Sequence, residues 1–256
     1  MDGQTMFSSE QIPYGKFAKL GISEEKLRSM PESLRNTLMN GKVSPLIQTR
    51  IQTENGKVIG LPLKLQMVMD QAGAILLMAY PIRKTIANDM KMNSAELERI
   101  SHGEVIQKEI NENGIRIKKY VQLDRETKSL MQKNITKVGL AEKLREMEKI
   151  NDIELGQNQK QAALDGKPIE LSIGESKVSV GVDLREPQGF KVVNGDMKEW
   201  EKQQKMRYDI ANEGFMGYVM TDENRWQYQQ VVEQLSHHEK EEKQENKRKE
   251  STIKLA

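Results

Sequence analysis

The chain of 256 residues is 36% hydrophobic and 30% charged, with 40 basic and 38 acidic residues. It has no cysteine, which excludes disulfides and thiolate zinc sites and is typical of a reducing compartment. A formal net charge of +2 is far below the basic excess of a dedicated duplex-DNA-binding protein, so any nucleic-acid contact must be local.

The N-terminal segment, residues 1–12, is predicted to be flexible, and it lacks the basic and apolar regions of a signal peptide. A first helix-β unit is predicted over 13–92. Its last helix begins near Pro31 and ends at Gly41, since glycine readily adopts the left-handed conformation that terminates helices. Three strand candidates follow, at 43–53, 57–69 and 74–80.

A second helix-β unit with a connecting helix is predicted over 93–150. Asn93 and Glu96 have the spacing of a capping box at the start of its helix, which ends at Gly103. The predicted strands are 104–110, 115–123 and 128–132, and the connecting helix is 139–150.

A third helix-β unit is predicted over 151–195. Its helix, 157–165, ends at Gly166. The strands that follow are predicted at 168–173, 177–183 and 190–193, with the loop REPQG before the last of them.

The remaining chain is predicted to be an aromatic-rich C-terminal extension, 196–238, and a disordered charged tail, 239–256. The extension is expected to contain a helix from residue 196, an extended segment at 214–220 and a last helix carrying Trp226.

The three units share marks that indicate an internal repeat. Gly41, Gly103 and Gly166 recur at intervals of 62 and 63 residues, and each ends a short helix before a β-rich stretch. Asp124 and Asp183 close the middle strand of the second and third units. The predicted fold class is therefore α+β, with three related units, each a helix plus a three-stranded antiparallel β-meander, followed by a helical C-terminal extension.

The loop REPQGFK is the first candidate binding site. Arg185 and Lys191 could bind a phosphate or carboxylate, and the Gln188 amide could form hydrogen bonds with the same ligand. The alternative, which we favour, is that proline and glycine simply form a tight turn.

Aromatic residues near the C-terminus form the second candidate. Trp200 and Trp226, with Arg225 nearby, could stack bases or dock a partner. The alternative, again favoured, is a small core that holds two helices against the third unit, which predicts buried tryptophans.

A basic cluster on the middle strand of the second unit is the third candidate. Arg116, Lys118 and Lys119, with Arg125 nearby, could follow a nucleic-acid backbone. The alternative, which we favour, is that these residues form the solvated face or the charged edge of a sheet that is buried on one side only.

The sequence shows none of the common catalytic or nucleotide-binding motifs, so neither an enzyme nor a cofactor site is predicted. Neighbouring residues on a helix project in directions about 100° apart, so His237 and His238 cannot readily bind the same metal ion. No metal site is therefore expected. The most apolar run, at 74–80, is too short to span a bilayer, so a cytoplasmic location without membrane contact is expected.

The amino-acid sequence of residues 13–235 resembles uncharacterised domain families carried by conjugative transposons and related mobile elements of bacteroidete bacteria. The stretches that carry the resemblance are MPESLRNTLMNGK, YVQLDRETKSL, ALDGKPIEL and VGVDLREPQGFKVVNGDMKEWEKQ. Similar helix-GK-strand modules are attached to type IA topoisomerases of such elements, although this chain has no topoisomerase active-site segment. In the first and third units a lysine directly follows the repeat glycine, at Lys42 and Lys167, whereas the second unit has the sequence ISHGEVI, without a lysine at that position.

The resemblance implies a non-enzymatic accessory protein of a mobile element that binds DNA, RNA or a DNA-processing protein through its repeated β modules. The alternative is an adaptor or inhibitor that contacts only protein.

Overall fold

The computed structural model describes residues 5–52, 55–70, 73–112, 114–204, 216–220 and 226–230, and for the last two ranges it describes the backbone. The first unit has three short helices, α1 (Tyr14–Lys19), α2 (Glu24–Ser29) and α3 (Glu32–Met39). They precede an antiparallel sheet of β1 (Ile47–Gln52), β2 (Val58–Met69) and β3 (Ile75–Pro81), with β2 in the middle.

The first unit has its own hydrophobic core. Leu61, Leu63 and Leu65 alternate along one face of β2, as period-two spacing requires, and they pack beneath the helices. Phe7 is fully buried in this core and its N–H donates to the carbonyl of Met39 at 2.9 Å. The prediction of a flexible segment over 1–12 is therefore wrong from Phe7 onward, because one large aromatic ring buries enough area to hold the chain in place.

The second unit begins with α4 (Ser94–Ser101), which has the predicted capping box: Glu96 N–H donates to Asn93 Oδ1 at 2.9 Å, and Asn93 N–H donates to Glu96 Oε2 at 2.8 Å. Its antiparallel sheet contains β4 (Ile106–Glu112), β5 (Ile115–Asp124) and β6 (Ser129–Asn134), in that order. The connecting helix α5 (Leu140–Asn151) follows.

The third unit consists of α6 (Gln157–Leu164) and a sheet of β7 (Ile169–Ile173), β8 (Ser176–Val182) and β9 (Phe190–Asn194). The predicted fold class is confirmed, since three separate antiparallel sheets each follow helices and a further helix, α7 (Met197–Gln204), comes after the third.

The C-terminal extension contains an antiparallel pair, β10 (Met216–Met220) and β11 (Trp226–Gln230), of which β10 lies beside β2. The predicted last helix carrying Trp226 is therefore wrong. Its sequence, WQYQQ, alternates aromatic and amide residues at period two, which is the pattern of a strand rather than of a helix. The tail at 239–256 lies outside the described residues.

The three repeat glycines end their helices in the same way. Gly41, Gly103 and Gly166 have φ of 67°, 90° and 92°. Each glycine N–H donates to the carbonyl three residues back, and the next N–H donates to the carbonyl five residues back. This pair of bonds defines a Schellman motif, so the predicted helix terminators are confirmed.

The second and third units share one hydrophobic core. It joins Tyr120 and Met131 of the second unit, Leu144 of α5 and Val180 of β8, and Tyr80 of the first unit reaches into it. A smaller core around Ile100 and Val121 lies under α4. Throughout the described ranges, no helix has both the length and the apolar character needed to cross a membrane.

Candidate binding groove at the junction of the three units

The REPQG loop between β8 and β9 joins the third unit to both others. The Arg185 carbonyl accepts a hydrogen bond from Val43 N–H of the first unit at 3.0 Å. The Leu184 N–H donates to Gln122 Oε1 of the second unit at 2.6 Å. Lys133 Nζ donates to the Pro187 carbonyl. The loop therefore fixes the relative positions of the units.

The side chain of Arg185 points inward and is largely neutralised. Its Nε and Nη2 donate to the two carboxylate oxygens of Asp183 at 2.8 Å each, and Nη2 also donates to Gln204. Burial alone would raise the pKa of the Asp183 carboxyl, but the hydrogen bonds and charge of Arg185 outweigh burial and hold that pKa below its ordinary value. Gln188 is exposed and Lys191 is half-buried, so the loop's predicted side chains do not converge.

Asp124 holds the corresponding position in the second unit. Its Oδ1 accepts a bond from Glu126 N–H at 3.0 Å, just as Asp183 Oδ1 accepts one from Arg185 N–H at 3.1 Å. Both carboxylates thus organise the turn after a middle strand, as Asp side chains commonly do. Asp124 also pairs with Lys64 of the first unit, and Lys64 in turn contacts Glu126.

A groove of about 990 Å³ lies between the second and third units. Its corners are the glycine turns at Gly103 and Gly166, which bring the starts of two sheets together. An added Cβ at Gly166 would lie 2.9 Å from the Val105 carbonyl oxygen, so this close approach requires glycine. Apolar side chains form part of the lining: Val105, Pro168, Val182, Met197 and Trp200.

Five charged side chains line this inter-unit groove: Arg99, Glu104, Arg125, Lys167 and Glu201. Arg99 and Glu104 form an ion pair with each other. Arg125 and Lys167 are both exposed, and within the described residues no carboxylate lies within 4 Å of either. Arg125 Nη2 donates to the His102 carbonyl at 2.6 Å, which holds the guanidinium against Gly103. The groove therefore combines an apolar lining with two cations that stand outside any ion pair of the described chain, and with one further exposed carboxylate, that of Glu201.

A polar pocket of about 380 Å³ adjoins the groove and shares Gln122, Arg125 and Gln204 with it. Lys64, Asp124, Glu126 and Arg185 also line this pocket, so titratable groups converge there. These four are engaged in ion pairs, as described above.

Trp200 belongs to the core rather than to an open surface. Its side chain is buried, and an added Cβ at Gly181 would lie 3.1 Å from the indole and 2.9 Å from the Pro168 backbone. The ring thus fixes α7 against the third sheet, as the favoured structural interpretation predicts. Arg225 and the side chain of Trp226 lie outside the described residues.

Two of the three residues in the predicted basic stripe pair with neighbouring carboxylates. Arg116 lies 3.6 Å from Glu109, Lys119 pairs with Glu112, and Lys118 stands directly opposite Glu109 in the β4–β5 register. Lys119 is also buried, whereas it was predicted as part of an open surface. None of these three basic residues lines the inter-unit groove.

Sequence reasoning missed how the groove is assembled. Arg125 had been noted only as a neighbour of the basic stripe, and Lys167 only as the lysine after a repeat glycine. Gln122 was not singled out, although a polar residue in the buried stretch of a strand is a recognisable signal. Among the described residues, no group of three or more His, Asp or Glu side chains is placed to hold a metal ion.

Residues 7–91 match the model of a family described as "Protein of unknown function (DUF4099)". The match begins at Phe7, the residue that enters the first core, and ends with the first unit. Comparison with curated proteins found no match, and comparison with solved structures also found none.

Proposed function

We propose that this chain is a non-enzymatic, cytoplasmic accessory protein of a mobile genetic element, and that it binds a DNA-processing protein partner through the inter-unit groove. The mobile-element context comes from the resemblance of the repeat sequences to domain families carried by such elements. The observation that carries the binding proposal is the pair Arg125 and Lys167, two unneutralised cations beside an apolar lining.

This arrangement suits a protein ligand. Protein interfaces combine an apolar centre with a polar rim, and binding sites form preferentially between packed units. Val105, Val182 and Pro168 offer the apolar surface, while Arg125 and Lys167 favour a partner surface with carboxylates.

The charge distribution favours protein over nucleic acid. A backbone-tracking surface needs several cations free to displace counterions from phosphates. Arg116 and Lys119 instead pair with the carboxylates of Glu109 and Glu112, which leaves Lys118 as the one cation of the stripe outside an ion pair of the described chain.

The polar pocket supports a non-catalytic assignment. A general acid or base needs a carboxyl or amine that is available to exchange a proton with substrate. The Asp124 carboxylate pairs with Lys64 of the first unit, and the Asp183 carboxylate pairs with Arg185 of its own loop, so both carboxylates are already engaged in ion pairs.

The direct test uses purified full-length protein with the type IA topoisomerase encoded by the same element, measured by isothermal titration calorimetry. The double variant Arg125→Glu and Lys167→Glu is expected to weaken binding at least about tenfold, because it replaces attraction with repulsion at the rim. Arg116→Glu, an exposed charge outside the groove, is the matched control and should change affinity less than about twofold.

The proposal fails if the topoisomerase does not bind, or if the groove and control variants weaken binding equally. A partner that binds through the groove but processes no DNA would favour the alternative, a protein-only adaptor or inhibitor.

Nucleic acid is the second candidate ligand, because Arg125 and Lys167 could contact phosphates. Fluorescence anisotropy with single- and double-stranded DNA and with RNA tests this version. It predicts binding that weakens as salt is raised and that the double variant removes. Absence of salt-sensitive binding to all three would exclude it.

A further inference from the structure

A second groove, of about 330 Å³, lies between the sheet of the first unit and β6 of the second. It is distinct from the inter-unit groove, with which it shares none of the lining residues of the described chain. Methionine dominates its apolar lining: Met6, Met67, Met69, Met78 and Met131. We refer to it as the methionine groove.

Exposed methionines lie at its edge, since Met6 is 50% exposed and Met69 is 44% exposed. Val68 lines the groove from the other face of β2. Leu76, which is 37% exposed, stands directly opposite Val68 in the β2–β3 register. An apolar patch of this kind on a folded chain indicates an interaction surface, and flexible thioether side chains adapt to varied ligands.

Two lysines stand beside this apolar surface. Lys133 and Lys137 line the groove, and within the described ranges neither has a carboxylate within 4 Å. Burial, together with the nearby charge of Lys137, lowers the pKa of the Lys133 ammonium. A negatively charged ligand group placed here would compensate for the water that burial removes from the Lys133 ammonium, and it would offset the repulsion between Lys133 and Lys137.

We propose that the methionine groove binds a short protein segment in which large apolar residues alternate with acidic ones. The apolar side chains of the segment contact Met6, Met69 and Met78, and its carboxylates meet Lys133 and Lys137. A narrow concave site between two sheets suits an extended segment better than a membrane surface, which needs a convex or flat patch. The site does not depend on the proposed function of the inter-unit groove.

The test measures binding of a fluorescein-labelled peptide that alternates Asp with Leu and Phe to the full-length protein by fluorescence anisotropy. The same peptide with Lys in place of Asp is the charge control. The acidic peptide is expected to bind at least about tenfold more tightly than the basic one, with an affinity that falls as salt rises.

Matched variants locate the site. Lys137→Glu is expected to weaken binding about three- to tenfold, and Met69→Asp by at least as much. Lys149→Glu and Ile150→Asp make the same chemical changes at exposed positions of α5 and should leave affinity unchanged. Thermal unfolding by circular dichroism confirms that all four variants are folded.

Equal binding of the acidic and basic peptides would overturn the proposal. So would equal losses in the groove and α5 variants. Co-sedimentation with vesicles of phosphatidylcholine and phosphatidylserine, abolished by Lys137→Glu while the acidic peptide shows no binding, would assign the groove to a lipid surface and also overturn it.

Discussion

Lys64 on β2 and Asp124 at the end of β5 form an ion pair, with Nζ 2.9 Å from Oδ2 and 3.1 Å from Oδ1, across 60 residues of chain. Their side chains are 10% and 2% exposed, so the pair is buried between the first two units. Oδ2 receives no hydrogen bond of good geometry within the described chain, so at that oxygen the contact is electrostatic. The pair thus ties the position of the first sheet to that of the second.

Lys64→Met is expected to lower the free energy of unfolding by about 3–5 kcal/mol, because it leaves the buried carboxylate of Asp124 without its cation. Urea unfolding followed by circular dichroism measures the change. Arg28→Ala, which breaks the exposed Arg28–Glu24 pair within α2, is the control and should lower the free energy of unfolding far less, because solvent screens this pair. Equal losses in the two variants would show that the buried pair does not hold the units together.

The Asp183–Arg185 pair makes a pH-dependent contribution to stability. The folded-state pKa of Asp183 is lowered, so the folded protein binds this proton less readily than the unfolded chain does. The stabilisation is therefore present above the unfolded-state pKa, near 3.8, and it is lost as pH falls through the lower folded-state value.

Thermal unfolding of the wild-type protein and of Asp183→Asn at pH 7 and at about pH 3 tests this contribution. The variant should be less stable at pH 7, and the difference should shrink at the acidic pH, where the Asp183 carboxyl of the unfolded chain is already largely protonated. A stability difference that stays constant between the two pH values would contradict the assignment.

The local elements were largely predictable because their signals are local. Period-two leucines on β2 and the Schellman glycines each depend on a few neighbouring residues. The Asn-Gly pair in the sequence at 113–114 predicts a two-residue hairpin, and such a hairpin places Lys118 opposite Glu109, as the β4–β5 register has it.

The assembly of the units was not predictable in this way. The partner of Lys64 lies 60 residues further along the chain, and no periodicity links the two positions. The groove likewise depends on Gly166 meeting Val105 of another unit, a packing event between distant parts of the chain. Only the three-dimensional arrangement reveals that Arg125 and Lys167 face the same space.

The role of Gly166 can be separated from backbone strain alone. Gly166→Ala would place a Cβ 2.9 Å from the Val105 carbonyl oxygen at φ +92°, whereas Gly114, the control position, has a similar φ of +84° with open space around the added atom. Both substitutions carry the left-handed penalty of about 1–2 kcal/mol. Gly166→Ala should be the more destabilising in urea unfolding by at least about 1 kcal/mol, owing to the added clash. Equal losses would mean that the second and third units pack less tightly than the structure indicates.

The first unit is expected to fold alone, because the core around Phe7, Leu38 and Leu63 is contained within it. A fragment of residues 5–91 should therefore show a cooperative thermal transition by circular dichroism and dispersed amide resonances by NMR. It should be less stable than the intact protein, since Tyr80 loses the neighbours that cover it. A fragment of residues 93–150 is the comparison, and it should remain unfolded because Leu144 and its neighbours pack against the third unit. Cooperative folding of 93–150, or a 5–91 fragment without a transition, would show that the cores are not divided in this way.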